Sequence, residues 1–253
     1  MQLGAQLYTV REYTKDLDSF SETLKKIADI GYRTVQVSAT CPFEAEWLRE
    51  RLQETGLACA VTHTNPDRIA DDTAAVADEH RVFGCKYVGI GCAPGGFAGG
   101  PPDYEAFARR FVPAAAALKA RGLTLGYHNH HFEFARYGGQ NLLERIHADF
   151  PAGGLTFILD TYWIQYSGGS PASWIRKLAG RVQCVHLKDM AVVGSEQRMA
   201  AVGEGNLEFG AILEACAQSG TEHLLVEQDN CYGEDPFSCL KRSFDNLKAL
   251  GLD

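Results

Sequence analysis

No Cys-x-x-Cys pair occurs among the eight cysteines of this 253-residue chain, at positions 41, 59, 85, 92, 184, 216, 231 and 239, which excludes a zinc knuckle. A secretion signal is missing too. Met1-Gln2-Leu3-Gly4-Ala5-Gln6 has neither a basic start nor a suitable apolar core, so the cysteines are expected as free buried thiols and the cytoplasm is the expected address. No run approaches the ~18 apolar residues of a membrane helix, and no membrane association is expected. Positive charge is scarce: 24 Lys and Arg stand against 32 Asp and Glu, a net charge of −8. That balance argues against a nucleic-acid partner, whose phosphates are held chiefly by cations. What is present is a 45% hydrophobic, 22% charged composition, ordinary for a globular protein with a sizeable core. One domain spanning 1–253 is expected.

Glycines punctuate the chain in a recurring order: an amphipathic run, a glycine, then a short apolar run rich in β-branched residues. Gly31, Gly56, Gly84, Gly122, Gly154, Gly180 and Gly220 fit this pattern. A glycine just past a helix takes the left-handed conformation that closes it, so each marks a helix-to-strand junction. Strands are predicted at Leu3–Thr9, Thr34–Ala39, Ala58–Thr64, Tyr87–Gly91, Thr124–His130, Thr156–Tyr162, Gln183–Lys188 and Leu224–Asp229. Helices are predicted at Leu17–Ile30, Glu46–Glu54, Ile69–Phe83, Tyr104–Ala120, Leu142–Ala148, Pro171–Leu178, Ala211–Ser219 and Pro236–Leu250.

Strict alternation of strand and helix implies an α/β fold with an all-parallel sheet, and eight units at this length fit a single (β/α)8 TIM barrel. An open doubly wound sheet would place a glycine-rich phosphate loop after its first strand, where this chain has Val10-Arg11-Glu12-Tyr13. Two connections, Cys92–Pro102 and Asp189–Asn206, are long and follow strands. Both are expected over the C-terminal mouth, as surface insertions or as a lid, the first without regular structure.

Polar residues collect at the ends of the last four strands, in Tyr127-His128-Asn129-His130-His131-Phe132-Glu133, Leu159-Asp160-Thr161-Tyr162-Trp163, Val185-His186-Leu187-Lys188-Asp189 and Val226-Glu227-Gln228-Asp229. Side chains alternate along a strand, so His186 shares the inward face with Cys184 and Lys188, Asp160 follows Ile158, and Glu227 follows Leu225. Glu133 lies just beyond its strand. These four are candidates for one convergent site at the barrel mouth. Three carboxylates and an imidazole suit a divalent cation, foremost Mn²⁺, with Co²⁺, Mg²⁺ or Zn²⁺ as alternatives. Without a cation, each acid would need a partner such as Lys188.

The order Tyr-His-Asn-His-x-Phe-Glu-Phe, Leu-Asp-x-x-Trp, His-Leu-Lys-Asp, Gly-Glu-Gly and Val-Glu-Gln-Asp resembles the sugar phosphate isomerase/epimerase proteins of the xylose-isomerase-like TIM-barrel superfamily. The opening Gln6-Leu7-Tyr8-Thr9-Val10-Arg11 matches as well. By position, the resemblance implies metal ligands at Glu133, Asp160, His186 and Glu227. It also implies proton removal beside a carbonyl through an enediolate, with Glu133 and Glu227 as the acid/base pair on opposite faces of the sugar. Two departures stand out: Gln36 where relatives often carry Glu, and Trp163 where related epimerases carry a substrate-binding histidine. Further expected substrate contacts are His63, His128, His130, Trp163, Lys188 and Tyr8, with Arg11 and Glu204 as weaker candidates.

The function expected is a metal-dependent isomerase or epimerase of a small sugar, keto-sugar or derivative, with a small-molecule carbohydrate as partner and homodimerisation open. A lyase or dehydratase, of the inosose dehydratase kind, needs little new machinery and is the alternative. The superfamily also contains apurinic endonucleases. Their trinuclear zinc site needs histidines that this chain lacks at Trp163 and after His186, where no Asp-x-His pair follows. A barrel that binds sugar without catalysis is the remaining class.

Overall fold

In the computed structural model, which describes residues 1–252, eight parallel strands close on themselves. They are β1 (Gln2–Gln6), β2 (Thr34–Val37), β3 (Ala58–His63), β4 (Tyr87–Ile90), β5 (Thr124–His128), β6 (Leu155–Asp160), β7 (Cys184–Leu187) and β8 (His223–Val226). Each pairs with its sequence neighbours, and β1 pairs with β8 to shut the barrel. Ala5 faces Val226 on one side and Val35 on the other. The fold is therefore the expected (β/α)8 barrel, and the ends of the strands meet at one mouth.

Alternation along the strands sorts the core into two compartments. Leu159, Val185, Leu187, Leu224 and Val226 join the buried layer between barrel and helices, whereas Ile158, Cys184 and Leu225 belong to a separate cluster with Tyr87 and Val61. Residues two steps further along the second set are Asp160, His186 and Glu227. An apolar plug thus fills the barrel and a polar layer lies on top of it.

Glycines make room for that plug. A Cβ on Gly89 would stand 2.3 Å from the carbonyl oxygen of Thr62 and 2.9 Å from Ile158 Cδ1, and one on Gly126 would also meet Ile158 at 2.9 Å. The glycine punctuation holds with one shift: Gly31, Gly56, Gly84, Gly122, Gly180 and Gly220 all have positive φ, but before β6 it is Gly153, φ 74°, rather than Gly154, that does so.

Several element boundaries differ from expectation. The helix predicted at Ile69–Phe83 is two, Pro66–Asp71 and Thr73–Val82. The Asn65 side chain accepts from the Asp67 N–H and starts the first early, and Asp72, φ −137°, breaks the path between them. The Cys92–Pro102 connection is more ordered than its glycines suggested, with a 3-10 turn at Pro94–Phe97 and a helix, Pro101–Ala120, that starts on its two prolines. The Asp189–Asn206 connection contains an antiparallel hairpin, Asp189–Val193 with Glu196–Ala200. A short helix, Thr161–Tyr166, also follows β6 directly. No helix among the described residues is long and apolar enough to cross a membrane.

The steric role of Gly89 is testable. Gly89→Ala should cost about 1–3 kcal/mol of stability, the range for overpacked interiors, and appear as a lower thermal midpoint. An unchanged midpoint would show that the barrel interior accommodates the extra methyl.

Candidate active site

Four polar side chains meet above the apolar plug: His128 at the end of β5, Asp160 at the end of β6, His186 on β7 and Glu227 just past β8. One potential ligand atom from each lies within 4.8 Å of the others, and all four residues are buried. Local structure aims them. Asp160 caps the Thr161–Tyr166 helix, its Oδ1 accepting from the Trp163 N–H at 3.0 Å, which turns Oδ2 toward the centre. Asn129 Oδ1 accepts from the Asp160 N–H at 3.0 Å and ties β5 to β6 at this level.

Hydrogen bonding fixes the imidazole tautomers. His128 Nδ1 is 2.9 Å from the Gly91 carbonyl oxygen, a pure acceptor, so Nδ1 carries the proton. Its Nε2 lone pair then points at Asp160 Oδ2, 3.2 Å away. Burial and the neighbouring His186 lower the His128 pKa, so the ring is neutral and two acceptors face each other. His186 Nε2 lies 2.5 Å from Gln36 Oε1, leaving Nδ1 toward Glu227 Oε2 at 2.9 Å and Asp160 Oδ2 at 3.8 Å. Burial disfavours charge on His186, but Glu227 and Asp160 outweigh it and raise its pKa to about 9. A proton on Nδ1 satisfies that contact in the absence of any other cation.

A third interaction completes the cluster. The Lys188 ammonium, 1% exposed, lies 3.2 Å from both Asp160 Oδ2 and Glu227 Oε2 and 2.8 Å from Asp229 Oδ1. Burial opposes the charge of Asp160 and of Glu227, yet Lys188 and the two imidazoles hold both carboxyls well below their ordinary range. Burial and Glu227 push Asp229 up to about 6. Three carboxylates against one ammonium and a protonated His186 leave a formal charge of −1, and −2 once a cation displaces the Nδ1 proton. That deficit, together with the acceptors of His128 and Asp160 turned toward each other, is what a divalent cation would meet.

Glu133, expected as a ligand, stands outside this set. It sits on a 3-10 turn, Phe132–Phe134, with Oε1 accepting from the Tyr127 hydroxyl at 2.6 Å and Oε2 from the His130 N–H at 2.8 Å. Burial raises its pKa to about 7 against those two donors. His128, expected only as a substrate contact, occupies the fourth corner instead.

A cavity of about 430 Å³ opens over the cluster, and Tyr8, His63, His128, His130, Lys188, Glu227 and Asp229 are on its wall. His63 Nδ1 is 3.1 Å from the Ser38 hydroxyl, and its buried Nε2 has no partner. Burial lowers the pKa of His63, and of His130 to about 3, so both rings are neutral. Trp163 lies off this wall, with the Lys188 ammonium 5.5 Å from its ring centre. Arg11 donates to the carbonyls of Tyr8 and Asp229 and stacks on Tyr8, a structural role. Glu204 pairs with Arg242 at 2.8 Å on the surface. Asp189 does not pair with Lys188: its carboxylate accepts from the N–H groups of Met190, Gly203, Gly205 and Leu207 and pins the Gly-Glu-Gly turn. Asp229 was not singled out from the sequence, although its place two residues past Glu227 puts it on the same inward face.

Known proteins place this arrangement. No curated protein sequence matches the chain significantly. Solved structures match closely in shape at low identity, which speaks to fold alone. A sugar phosphate isomerase/epimerase from Parabacteroides distasonis superposes with a TM-score of 0.80 at 19% identity, over 98% of this chain and 94% of that one. A D-allulose 3-epimerase from Methylomonas sp. gives 0.72 at 15%, over 99% and 98%. A probable 3-DHS dehydratase from Bacillus anthracis gives 0.74 at 12%, over 98% and 99%. A family profile described as xylose isomerase-like TIM barrel matches residues 24–250, so the chain belongs to the xylose isomerase-like TIM barrel family.

Proposed function

We propose that the protein is a divalent-metal-dependent isomerase or epimerase acting on a small sugar, keto-sugar or sugar derivative. The observation that carries this reading is the buried convergence of one potential ligand atom from each of His128, Asp160, His186 and Glu227 within 4.8 Å, with the acceptors of His128 and Asp160 turned toward one another. The solved neighbours include a sugar phosphate isomerase/epimerase and a sugar epimerase, which supports a carbohydrate partner. Two imidazoles and two carboxylates favour manganese, cobalt or zinc over magnesium. Such a cation would supply positive charge beside the substrate's oxygens, stabilising the negative charge that proton removal creates.

The side chains divide the remaining work. Glu227 lines the cavity and is the group placed to take a proton from the carbon beside the carbonyl. The neutral rings of His63 and His130 face the cavity as hydrogen-bonding groups for hydroxyl and carbonyl oxygens, while Lys188 on the same wall holds the carboxylates in place. Glu133 is held behind His130 and does not line the cavity, so the acid/base pair inferred from the resemblance is not assembled across it. Both lining carboxylates, Glu227 and Asp229, come from the end of one strand. One-sided placement favours a proton shift between adjacent carbons on one face over a two-faced epimerisation.

The same placement supports dehydration as a second reading. Asp229, against Lys188 on the cavity wall and pushed up to about 6, would act from its protonated form, passing that proton to a leaving hydroxyl that departs as water after Glu227 has taken the carbon-bound proton. The likeness to a probable dehydratase agrees with it.

Two experiments test the reading. Metal-loaded protein screened against keto-sugars in D₂O should exchange a carbon-bound proton, followed by NMR, and Glu227→Gln should reduce the rate by about 10²–10⁴-fold. Full exchange in Glu227→Gln would remove the assigned role, and release of water would favour the dehydratase. By calorimetry, His128→Ala should weaken manganese binding by more than about 100-fold, beyond the range for outer ligand partners, whereas Glu133→Gln should leave it within about threefold. The reverse pattern would restore Glu133 to the ligand set.

A further inference from the structure

The cavity over the cluster shares part of its wall with another. A second chamber of about 520 Å³ adjoins it, and the two share Ser38, Ala39, His63, Thr64 and Asn65. The partition is built from the residues that follow β2 and β3. Ser38 bonds His63 across it at 3.1 Å, and Ala39 holds a left-handed backbone, φ 55°. A non-glycine residue in that region is uncommon and costs energy, and such outliers cluster at ligand clamps. Gly91 leaves space for the His63 ring, since a Cβ there would stand 2.7 Å from His63 Nδ1.

The second chamber has the make-up of a ring-binding subsite. Phe43 and Phe83 meet edge-to-face with centres 6.5 Å apart, and Pro42 adds to the apolar lining. Arg68 and Glu79 form a 2.6 Å ion pair on the polar side. Aromatic and apolar surface with a few convergent polar groups is the usual composition of a small-molecule site. Each chamber alone lies within the ~300–1,000 Å³ typical of ligand pockets, so the pair has room for more than one sugar ring.

Charge narrows the ligand further. Among the described residues lining the first cavity, Lys188 is the one permanent cation, and three carboxylates already hold it. Arg68 is likewise held by Glu79. The first chamber thus offers no side-chain cation free for a phosphate, and the second holds its one guanidinium in an ion pair of no net charge.

We infer that the substrate is an uncharged two-ring sugar, a reducing disaccharide whose carbonyl-bearing unit lies over His128 and Glu227 and whose second ring fills the Phe43–Phe83 chamber. Linkage through a hydroxyl oxygen of the reacting unit leaves its carbonyl free for proton removal. This rests on reading the first cavity as a sugar site.

The test is calorimetry on the full-length, metal-loaded protein with a panel of ketohexoses and aldohexoses, their monophosphates, and reducing disaccharides built on the same units. A disaccharide should bind best, by at least about tenfold over its free reacting unit. Thr40→Trp, which blocks only the second chamber, should abolish that margin and leave monosaccharide binding unchanged. Pro42→Trp repeats the block from an exposed position on the same wall. A monosaccharide or a phosphate as the best ligand would overturn the inference, as would equal loss for both ligand sizes in the two variants. Proton exchange separates this from the proposed function. Exchange on simple sugars without a disaccharide preference sinks only the present inference, whereas disaccharide binding without exchange on any sugar sinks the catalytic reading and keeps the subsite.

Discussion

The polar top of this barrel depends on how three buried carboxylates, Asp160, Glu227 and Asp229, are balanced by a single buried ammonium. Removing such charges from water is costly unless each finds a partner, and Lys188 contacts all three acids at 2.8–3.2 Å. Its position follows from strand parity, because His186 and Lys188 share the inward face of one strand end. The ammonium therefore stabilises the acids without neutralising them. Two negative charges remain once the His186 proton is displaced, directed between two imidazoles whose outer nitrogens are committed to Gly91 and Gln36. Everything proposed for this site develops from that imbalance.

The rest of the fold floors and orients the cluster. Gly89 and Gly126 admit Ile158 into the barrel interior, which forms the floor with Cys184 and Leu225. Asp160 does two jobs with its two oxygens, one capping a helix and the other facing the centre. Its capped helix is short, six residues, so the carboxylate is oriented by local geometry more than by a long scaffold. On the far side, the four backbone donors around Asp189 hold the Gly203-Glu204-Gly205 turn beside the mouth. That acid is consumed in shaping a loop, which explains why the neighbouring Lys188 turns inward instead.

Most of the architecture was legible in the sequence, because helix-closing glycines and apolar runs report on backbone geometry that few residue types tolerate. The sites of failure are equally physical. Gly153 rather than Gly154 turns before β6, since adjacent glycines are interchangeable to any pattern. The hairpin after β7 was missed because its strands alternate weakly and lie over solvent. Among the site residues, parity alone pointed to Asp160, His186 and Glu227, and the structure brings their ligand atoms together. Glu133 was nominated with them from just beyond its strand, and its carboxylate lies outside the four ligand atoms that converge. Applied to β5, the same parity argument selects His128, two residues beyond the inward Gly126. The Glu133 carboxylate, one turn further on, accepts instead from a tyrosine hydroxyl and a backbone N–H.

Gln36 shows why composition at such a site has to be read as a sum. A glutamate there would hold His186 through the same Nε2 contact and make the imidazole a stronger donor. It would also add a fourth buried anion to a set already at −2, leaving a net negative charge after a dication bound. The amide makes the hydrogen bond at 2.5 Å and adds no charge. With His128 in place of a carboxylate at another corner, the cluster reaches a total that one divalent ion neutralises. The amide at Gln36 and the imidazole at His128 are thus linked to the presence of Lys188. Its ammonium is held by Asp229, and the charge remaining on Asp160 and Glu227 is what a single dication can match.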